Sequence, residues 1–221
     1  MVTSENFEKI VTVPPTSLAP DRDQPHPDHR IASLLIPERA LKKRIRHLAR
    51  QICQDYQQFS SLRAVILLKG AFVFAADLGR EICRCGGPEI RYDFLKPVTY
   101  GTGIKSTGES GRDVKIEFAP EELNDDPVLV IDDILDQAFT LTAVREYLTA
   151  QDGVSSLRFC VLLEKMLEAP SEEVRLLRES LQPEYVGFRI PDRWVAGYGI
   201  DAGEDFRQLP YIVTVKEEYY R

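Results

Sequence analysis

VLVIDDILDQAFTL, residues Val128 to Leu141, is the stretch on which the fold of this chain turns. Its opening apolar run shows no polar alternation, which suits a strand buried on both faces in a parallel sheet flanked by helices. Asp132 and Asp133 stand at its carboxyl end, the edge where open α/β sheets bind ligands. Adjacent carboxylates are costly to bury unpaired, so a cation or hydroxyl groups should face them. Asp136-Gln137-Ala138-Phe139-Thr140 then turns into a helix. Its first free backbone amides, with the Thr140 hydroxyl, form an anion site suited to phosphate. Acids beside a phosphate cradle fit a ligand with sugar hydroxyls at one end and phosphate at the other. On this run alone two other readings stand: the acids cap the helix, or they are the acidic pair of a receiver domain.

Working outward, AVILLKG (Ala64 to Gly70) reads as a second buried strand, ended by Lys69-Gly70, and FVFAADLGREIC as the helix after it. PERALKKRIRHLARQICQDYQQF reads as a long amphipathic helix opened by Pro37, with Leu41, Ile45, Leu48, Ile52 and Tyr56 at helical spacing. IASLLI, EIRYDFLKPV, LRFCVLLE, EYVGFRI and WVAGYGID supply further strands. Strands alternating with helices predict an α/β fold with a mainly parallel twisted sheet flanked by helices on both faces. The Gly- and Ser-rich segment from Tyr100 to Val114 is either a hairpin tip or a mobile flap. Residues 1–30 contain Pro14, Pro15, Pro20, Pro25 and Pro27 and read as a flexible extension ahead of one domain over 31–221. Within it, HPDHR (His26 to Arg30) reads as solvated tail and not as a metal cluster.

The 221 residues suit one α/β domain with an appendage. Lys+Arg 28 against Asp+Glu 35 gives a net charge of -7, which argues against a nucleic-acid-binding surface. No apolar stretch approaches the roughly 20 residues that span a bilayer, and the start lacks a secretory pattern, so no membrane partner is expected. Cys53, Cys83, Cys85 and Cys160 show no CxxC pair and read as free thiols in a cytoplasmic protein.

The central run resembles the phosphoribosyl-pyrophosphate signature of type I phosphoribosyltransferases, and more narrowly that of the hypoxanthine-guanine phosphoribosyltransferase family. LLKGAFVFAADL, VTYGTGIKSTG, LLEK and YVGFRIPDRWVAGYGID followed by FRQLPYI agree in the family's order, covering about Ile31 to Val215. The resemblance implies the type I phosphoribosyltransferase fold with a small hood subdomain built from segments near 31–36 and 165–221. It implies a purine salvage enzyme that moves 5-phosphoribosyl from phosphoribosyl pyrophosphate to N9 of hypoxanthine or guanine. The products are IMP or GMP and pyrophosphate, the cofactor is Mg²⁺, and the assembly is a homodimer or homotetramer. The alternative is a non-catalytic nucleotide-binding regulator on the same fold.

Residue by residue, the resemblance gives Asp132 and Asp133 the ribose hydroxyls, directly or through Mg²⁺, and makes Asp136 the general base at purine N7. Gln137, Ala138, Phe139 and Thr140 wrap the 5′-phosphate. Leu68-Lys69-Gly70 is the pyrophosphate loop, with a cis peptide before the Lys, and Arg207 also contacts pyrophosphate. Lys165 reads the 6-oxo group, Tyr185 stacks on the base, and Val186 meets its Watson–Crick edge. Asp192 is placed beside the base and joins the second Mg²⁺ site. Thr99 and Tyr100 head the closing flap.

The chain departs from the family pattern twice. The usual phosphate turn reads Asp-Thr-Gly-x-Thr, whereas Gln137 and Ala138 stand here; the Ala is tolerable if its φ is negative. The connection MLEAPSEEVRLLRESLQPE between Lys165 and Tyr185 is also longer than usual. Ser171 with Glu172 and Glu173 reads as the start of an extra helix, expected to flank the base pocket.

Overall fold

The computed structural model describes residues 11–12, 28–100, 113–120, 123 and 126–219. In chain order these form β1 (Val11–Thr12), β2 (Ile31–Ile36), α1 (Glu38–Asp55), β3 (Ser61–Leu67), α2 (Phe72–Arg84), β4 (Glu89–Tyr100) and β5 (Asp113–Phe118). They continue with β6 (Val128–Leu135), α3 (Phe139–Thr149), β7 (Leu157–Met166), α4 (Glu172–Ser180), β8 (Tyr185–Pro191), β9 (Val195–Ala196), β10 (Ile212–Val215) and a final 3-10 turn. The main sheet has the order β1-β8-β7-β6-β3-β4-β5. Its neighbours pair in parallel except β4 with β5.

Period-2 alternation divides the central strands between two cores. Ala64 and Ile66 of β3, Leu129 and Ile131 of β6, and Cys160 and Leu162 of β7 pack with α1 and α2. Val65, Leu67, Val128, Val130, Phe159 and Val161 face the other way and pack with Leu141, Val144 and Leu148 of α3. The uniform apolarity of these strands follows from burial on both faces. Helix α1 buries Leu41, Ile45, Leu48 and Ile52. Its buried Arg44 donates to the Val186 and Gly187 carbonyls, each at 2.8 Å, tying the helix to β8.

A second antiparallel sheet, β2-β10-β9, encloses its own small core of Ile31, Leu34, Ala196, Phe206, Leu209, Val213 and Val215. This small sheet sits where the hood was expected, but with narrower bounds, because β8 belongs to the main sheet. WVAGYGID yields only the two-residue β9. Gly197 and Gly199 adopt φ of 106° and 101°, turning the chain where a continuous strand was expected. The expected extension also contributes structure, since Val11 and Thr12 pair in parallel with Phe188 and Arg189. The remaining residues of that extension up to 27, His26 included, lie outside the described residues. So do residues 101–112 of the flap segment. Thr99 and Tyr100 end β4, which β5 flanks in antiparallel register.

All four cysteines are free. No helix among the described residues is long and apolar enough to cross a membrane.

Candidate active site

The carboxyl ends of β3, β6 and β7 open onto one edge of the sheet. There a cleft of about 300 Å³ is lined by Leu67 to Gly70, Pro97 and Asp132 to Leu141. The two sequence motifs that carry acids and amides therefore face each other across one cavity. The Leu68-Lys69 peptide is cis.

Asp132 is buried and Asp133 half-buried. Asp132 Oδ1 accepts the Asp133 amide at 2.9 Å, and Asp133 Oδ1 accepts the Ile134 amide at 3.1 Å. Burial, and then the repulsion of Asp133, hold the Asp132 carboxyl well above its ordinary value, and burial raises Asp133 as well. Arg207 opposes the rise at Asp133 by its charge. An acidic pair in this state favours a cation or hydroxyl donors nearby.

Asp136 begins the turn that leads into α3. Its Oδ2 lies 3.0 Å from Lys165 Nζ, at the end of β7. Lys165 is buried, 3.9 Å from Asp192 Oδ1, and its Nζ lies 6.0 Å from the centre of the Trp194 ring. Ala138 caps α3 with φ of 71°, so its backbone is left-handed and the condition of a negative φ is not met. No side chain caps the helix at this position, and the first amides of α3 are left for a ligand in the cleft.

The turn from Gly197 to Arg207 closes over the β3–α2 loop. A Cβ on Gly199 would stand 2.2 Å from the Gly70 carbonyl oxygen. Lys69 pairs with Glu204 at 3.0 Å, and Arg207 pairs with Asp201 at 2.9 Å and donates to the Gly199 carbonyl at 2.9 Å. Lys69, Gly70 and Arg207 are thus brought to one side of the cleft.

Tyr185 and Val186 are not brought to it. They open β8 at the opposite edge, where Tyr185 pairs in register with Cys160 and Ile190 with Lys165. Five residues of strand separate those pairs, about 16 Å. The Tyr185 hydroxyl donates to Asp55 at 2.8 Å and accepts from Arg158 at 3.1 Å, and its ring is core. The aromatic that does reach Lys165 is Trp194, the one tryptophan of the chain, two residues past the Pro191-Asp192 turn. Trp194 belongs to the same YVGFRIPDRWVAGYGID run, and the strand's length decides which aromatic ends at the cleft. Asp192 is likewise beside Lys165 and forms no cluster with the Asp132-Asp133 pair. Among the described residues no three His, Cys, Asp or Glu side chains gather to hold a metal. Asp201, bonded to Arg207 on the Lys69-Gly70 side of the cleft, is a carboxylate that the sequence motifs did not single out.

Helix α4 is capped by Ser171, whose hydroxyl accepts the Val174 amide at 3.3 Å. Its Arg178 bonds the Asp136 carbonyl and Glu164, the residue before Lys165. Leu177 and Leu181 pack into the α3 core, and Arg145 of α3 donates to the Ser180 carbonyl at 2.8 Å.

A family model described as the phosphoribosyl transferase domain matches residues 35–202. The chain is 40% identical over 185 residues to the hypoxanthine phosphoribosyltransferase of Escherichia coli K12, covering 82% of this chain and 94% of that one. It is 34% identical over 186 residues to the hypoxanthine-guanine phosphoribosyltransferase of Aquifex aeolicus, covering 83% and 94%. Among solved structures, a hypoxanthine phosphoribosyltransferase from Staphylococcus aureus superposes with a TM-score of 0.71 at 33% identity, covering 87% of this chain and 95% of that one. A Trypanosoma cruzi hypoxanthine phosphoribosyltransferase in complex with the product IMP gives 0.70 at 29%, covering 89% and 100%.

Proposed function

The chain belongs to the hypoxanthine(-guanine) phosphoribosyltransferase family, and from that membership we propose that it salvages purines. It transfers 5-phosphoribosyl from phosphoribosyl pyrophosphate to N9 of hypoxanthine or guanine, giving IMP or GMP and pyrophosphate. The observation that carries this reading is the 3.0 Å pair of Asp136 with Lys165 at the head of the phosphate turn. One group is suited to take a purine proton and the other to donate to a 6-oxo oxygen, and they meet where base and sugar must join.

In this reading the amides and side chains of Gln137, Ala138, Phe139 and Thr140 hold the 5′-phosphate at the start of α3. Asp132 and Asp133 take the ribose hydroxyls. Leu68, Lys69, Gly70 and Arg207 hold the pyrophosphate, so substrate must displace Glu204 from Lys69. Lys165 releases Asp136 to donate to the 6-oxo oxygen, and Asp136 then receives the N7 proton as N9 bonds to the ribose carbon. The Trp194 ring, facing Lys165, stacks on the base in place of Tyr185. Thr99 and Tyr100 head the segment that excludes water during transfer.

Mg²⁺ fits this donor set. Such an ion takes one or two carboxylates and completes its shell with water and substrate oxygens, and so needs no all-protein cage. Asp132 and Asp133 would hold it through the ribose, and Asp201, beside Arg207, suits the pyrophosphate side better than Asp192 does. Bound there, it would neutralise charge on the leaving pyrophosphate. A cytoplasmic setting fits the four free thiols, and assembly as a homodimer or homotetramer follows the family resemblance.

The test is conversion of hypoxanthine or guanine with phosphoribosyl pyrophosphate and Mg²⁺. IMP or GMP and pyrophosphate are expected in equal amounts, and Asp136→Asn should lower kcat by about 100-fold or more. Intact IMP binding without turnover of hypoxanthine, guanine or xanthine would instead establish the nucleotide-binding regulator.

A further inference from the structure

Helix α4 sends one side chain to the phosphate turn. Arg178 donates through one guanidinium nitrogen to the main-chain carbonyl of Asp136 at 2.6 Å, and through the other to Glu164 Oε1 at 3.0 Å. Glu164 is itself held by Arg189 at 2.8 Å. Arg178 and Glu164 are largely buried, at 18% and 16% exposed, so the pair is shielded from the solvent screening that weakens surface ion pairs. No residue of α4 lines the cleft.

We propose that Arg178 is a positioning residue for phosphate recognition, acting through the Asp136 backbone. The Asp136-Gln137 peptide is trans, and in a trans peptide the carbonyl and the following N–H point in opposite directions. A carbonyl held toward α4 therefore turns the Gln137 amide away from α4 and toward the cleft. The brace acts where the turn lacks its usual glycine, because Ala138 must hold a left-handed φ of 71° that its Cβ disfavours. Arg178 fixes one end of that turn and the packing of α3 fixes the other, so its amides are arranged before phosphate arrives. The helix thus serves the phosphate turn from its Asp136 end. Lys165 holds the Asp136 side chain at 3.0 Å while Arg178 holds its backbone, so the proposed base is fixed at two points.

The inference rests on the purine-nucleotide reading of the site, and its test separates the two. Calorimetric binding of IMP and of inosine to the full chain gives a ratio of dissociation constants that isolates the 5′-phosphate. In Arg178→Met that ratio should fall by about tenfold, with a smaller loss in Arg178→Lys, which keeps one donor for the carbonyl. KM for phosphoribosyl pyrophosphate should rise with it, and by more than KM for hypoxanthine. An unchanged ratio in a cooperatively melting Arg178→Met protein overturns the positioning role. If that variant does not fold, an unchanged ratio in Arg178→Lys overturns it equally. If the unsubstituted protein binds neither IMP nor inosine, the purine-nucleotide reading falls, and the inference with it.

Discussion

Gly70 lies so close to the carboxylate of Asp133 that a Cβ added to it would stand 1.7 Å from Asp133 Oδ2. The loop after β3 and the acidic end of β6 are therefore mutually fitted surfaces, and the glycine is what lets backbone meet carboxylate. Gly70→Ala must push Asp133 or the loop aside, and an ångström of misplacement in a reacting site costs about 100-fold in rate. kcat/KM for phosphoribosyl pyrophosphate should fall by that order, and a steady-state assay near the activity of the unsubstituted protein would show that the contact is not maintained in the working site.

Asp132 works against the stability of the unliganded protein. Its carboxyl is held above the ordinary 3.8, first by burial and then by Asp133, so the fold binds its protonated form more tightly than the unfolded chain does. That contribution is present below 3.8 and is lost as pH rises through the raised value. Without divalent cation or substrate, the protein should melt lower at pH 8 than at pH 5. Asp132→Asn should flatten this dependence and raise stability near neutrality, while turnover drops. Melting curves at several pH values decide it; an Asp132→Asn protein no more stable than its parent contradicts the argument.

Tyr185 and Trp194 separate packing from recognition. Tyr185→Phe removes a hydroxyl bonded to Asp55 and Arg158 and should cost about 1 kcal/mol of stability with KM for hypoxanthine unmoved. Trp194→Leu should raise that KM about tenfold through lost stacking. Denaturant titrations beside base-dependence curves read both, and the reverse pattern would return Tyr185 to the site.

The order of elements was legible because each carries its own local signal. The buried strands β3, β6 and β7 are continuous apolar runs, α1 repeats its apolar positions at helical spacing, and Ser171 caps α4. The carboxylates and amides of 132–140 were legible for the same reason, since strand, turn and helix follow one another without a gap. Less legible was anything set by distance along a strand or by long-range packing. Tyr185 and Trp194 sit in one motif, and only the length of β8 sends the first to the far edge and the second to the cleft. Glu204 reaching Lys69 spans 135 positions, and Arg178 reaching Asp136 spans 42, separations over which local periodicity carries no information. The sign of φ at Ala138 was also hidden, because alanine gives no warning of a left-handed turn.

Ala138→Gly tests that turn directly. A left-handed φ costs a non-glycine residue about 1–2 kcal/mol, and glycine returns about 0.5–1 kcal/mol of this through its freer unfolded chain. The variant should be more stable by about 0.5–1 kcal/mol in urea titration, the difference of those two effects. A loss of stability would mean that the Ala138 methyl, which is buried in the α3 core, contributes more than its backbone costs.

Gln137 is the other residue of the turn without the usual side chain, and its effect falls on affinity. A threonine hydroxyl is short and sits close to the backbone amides that face the phosphate, whereas a glutamine must fix three rotatable bonds to bring its amide N–H to the same place. The amide can donate, so phosphate binding is reshaped and not abolished. Gln137→Thr should therefore lower KM for phosphoribosyl pyrophosphate several-fold, with a smaller effect on KM for hypoxanthine, whose proposed contacts are Asp136, Lys165 and Trp194. The same substitution in Arg178→Met should recover less affinity, since a better side chain cannot compensate for amides left without their brace. A KM for phosphoribosyl pyrophosphate that does not change on Gln137→Thr would show that the backbone amides alone carry the phosphate, and that the side chain at this position is free to vary.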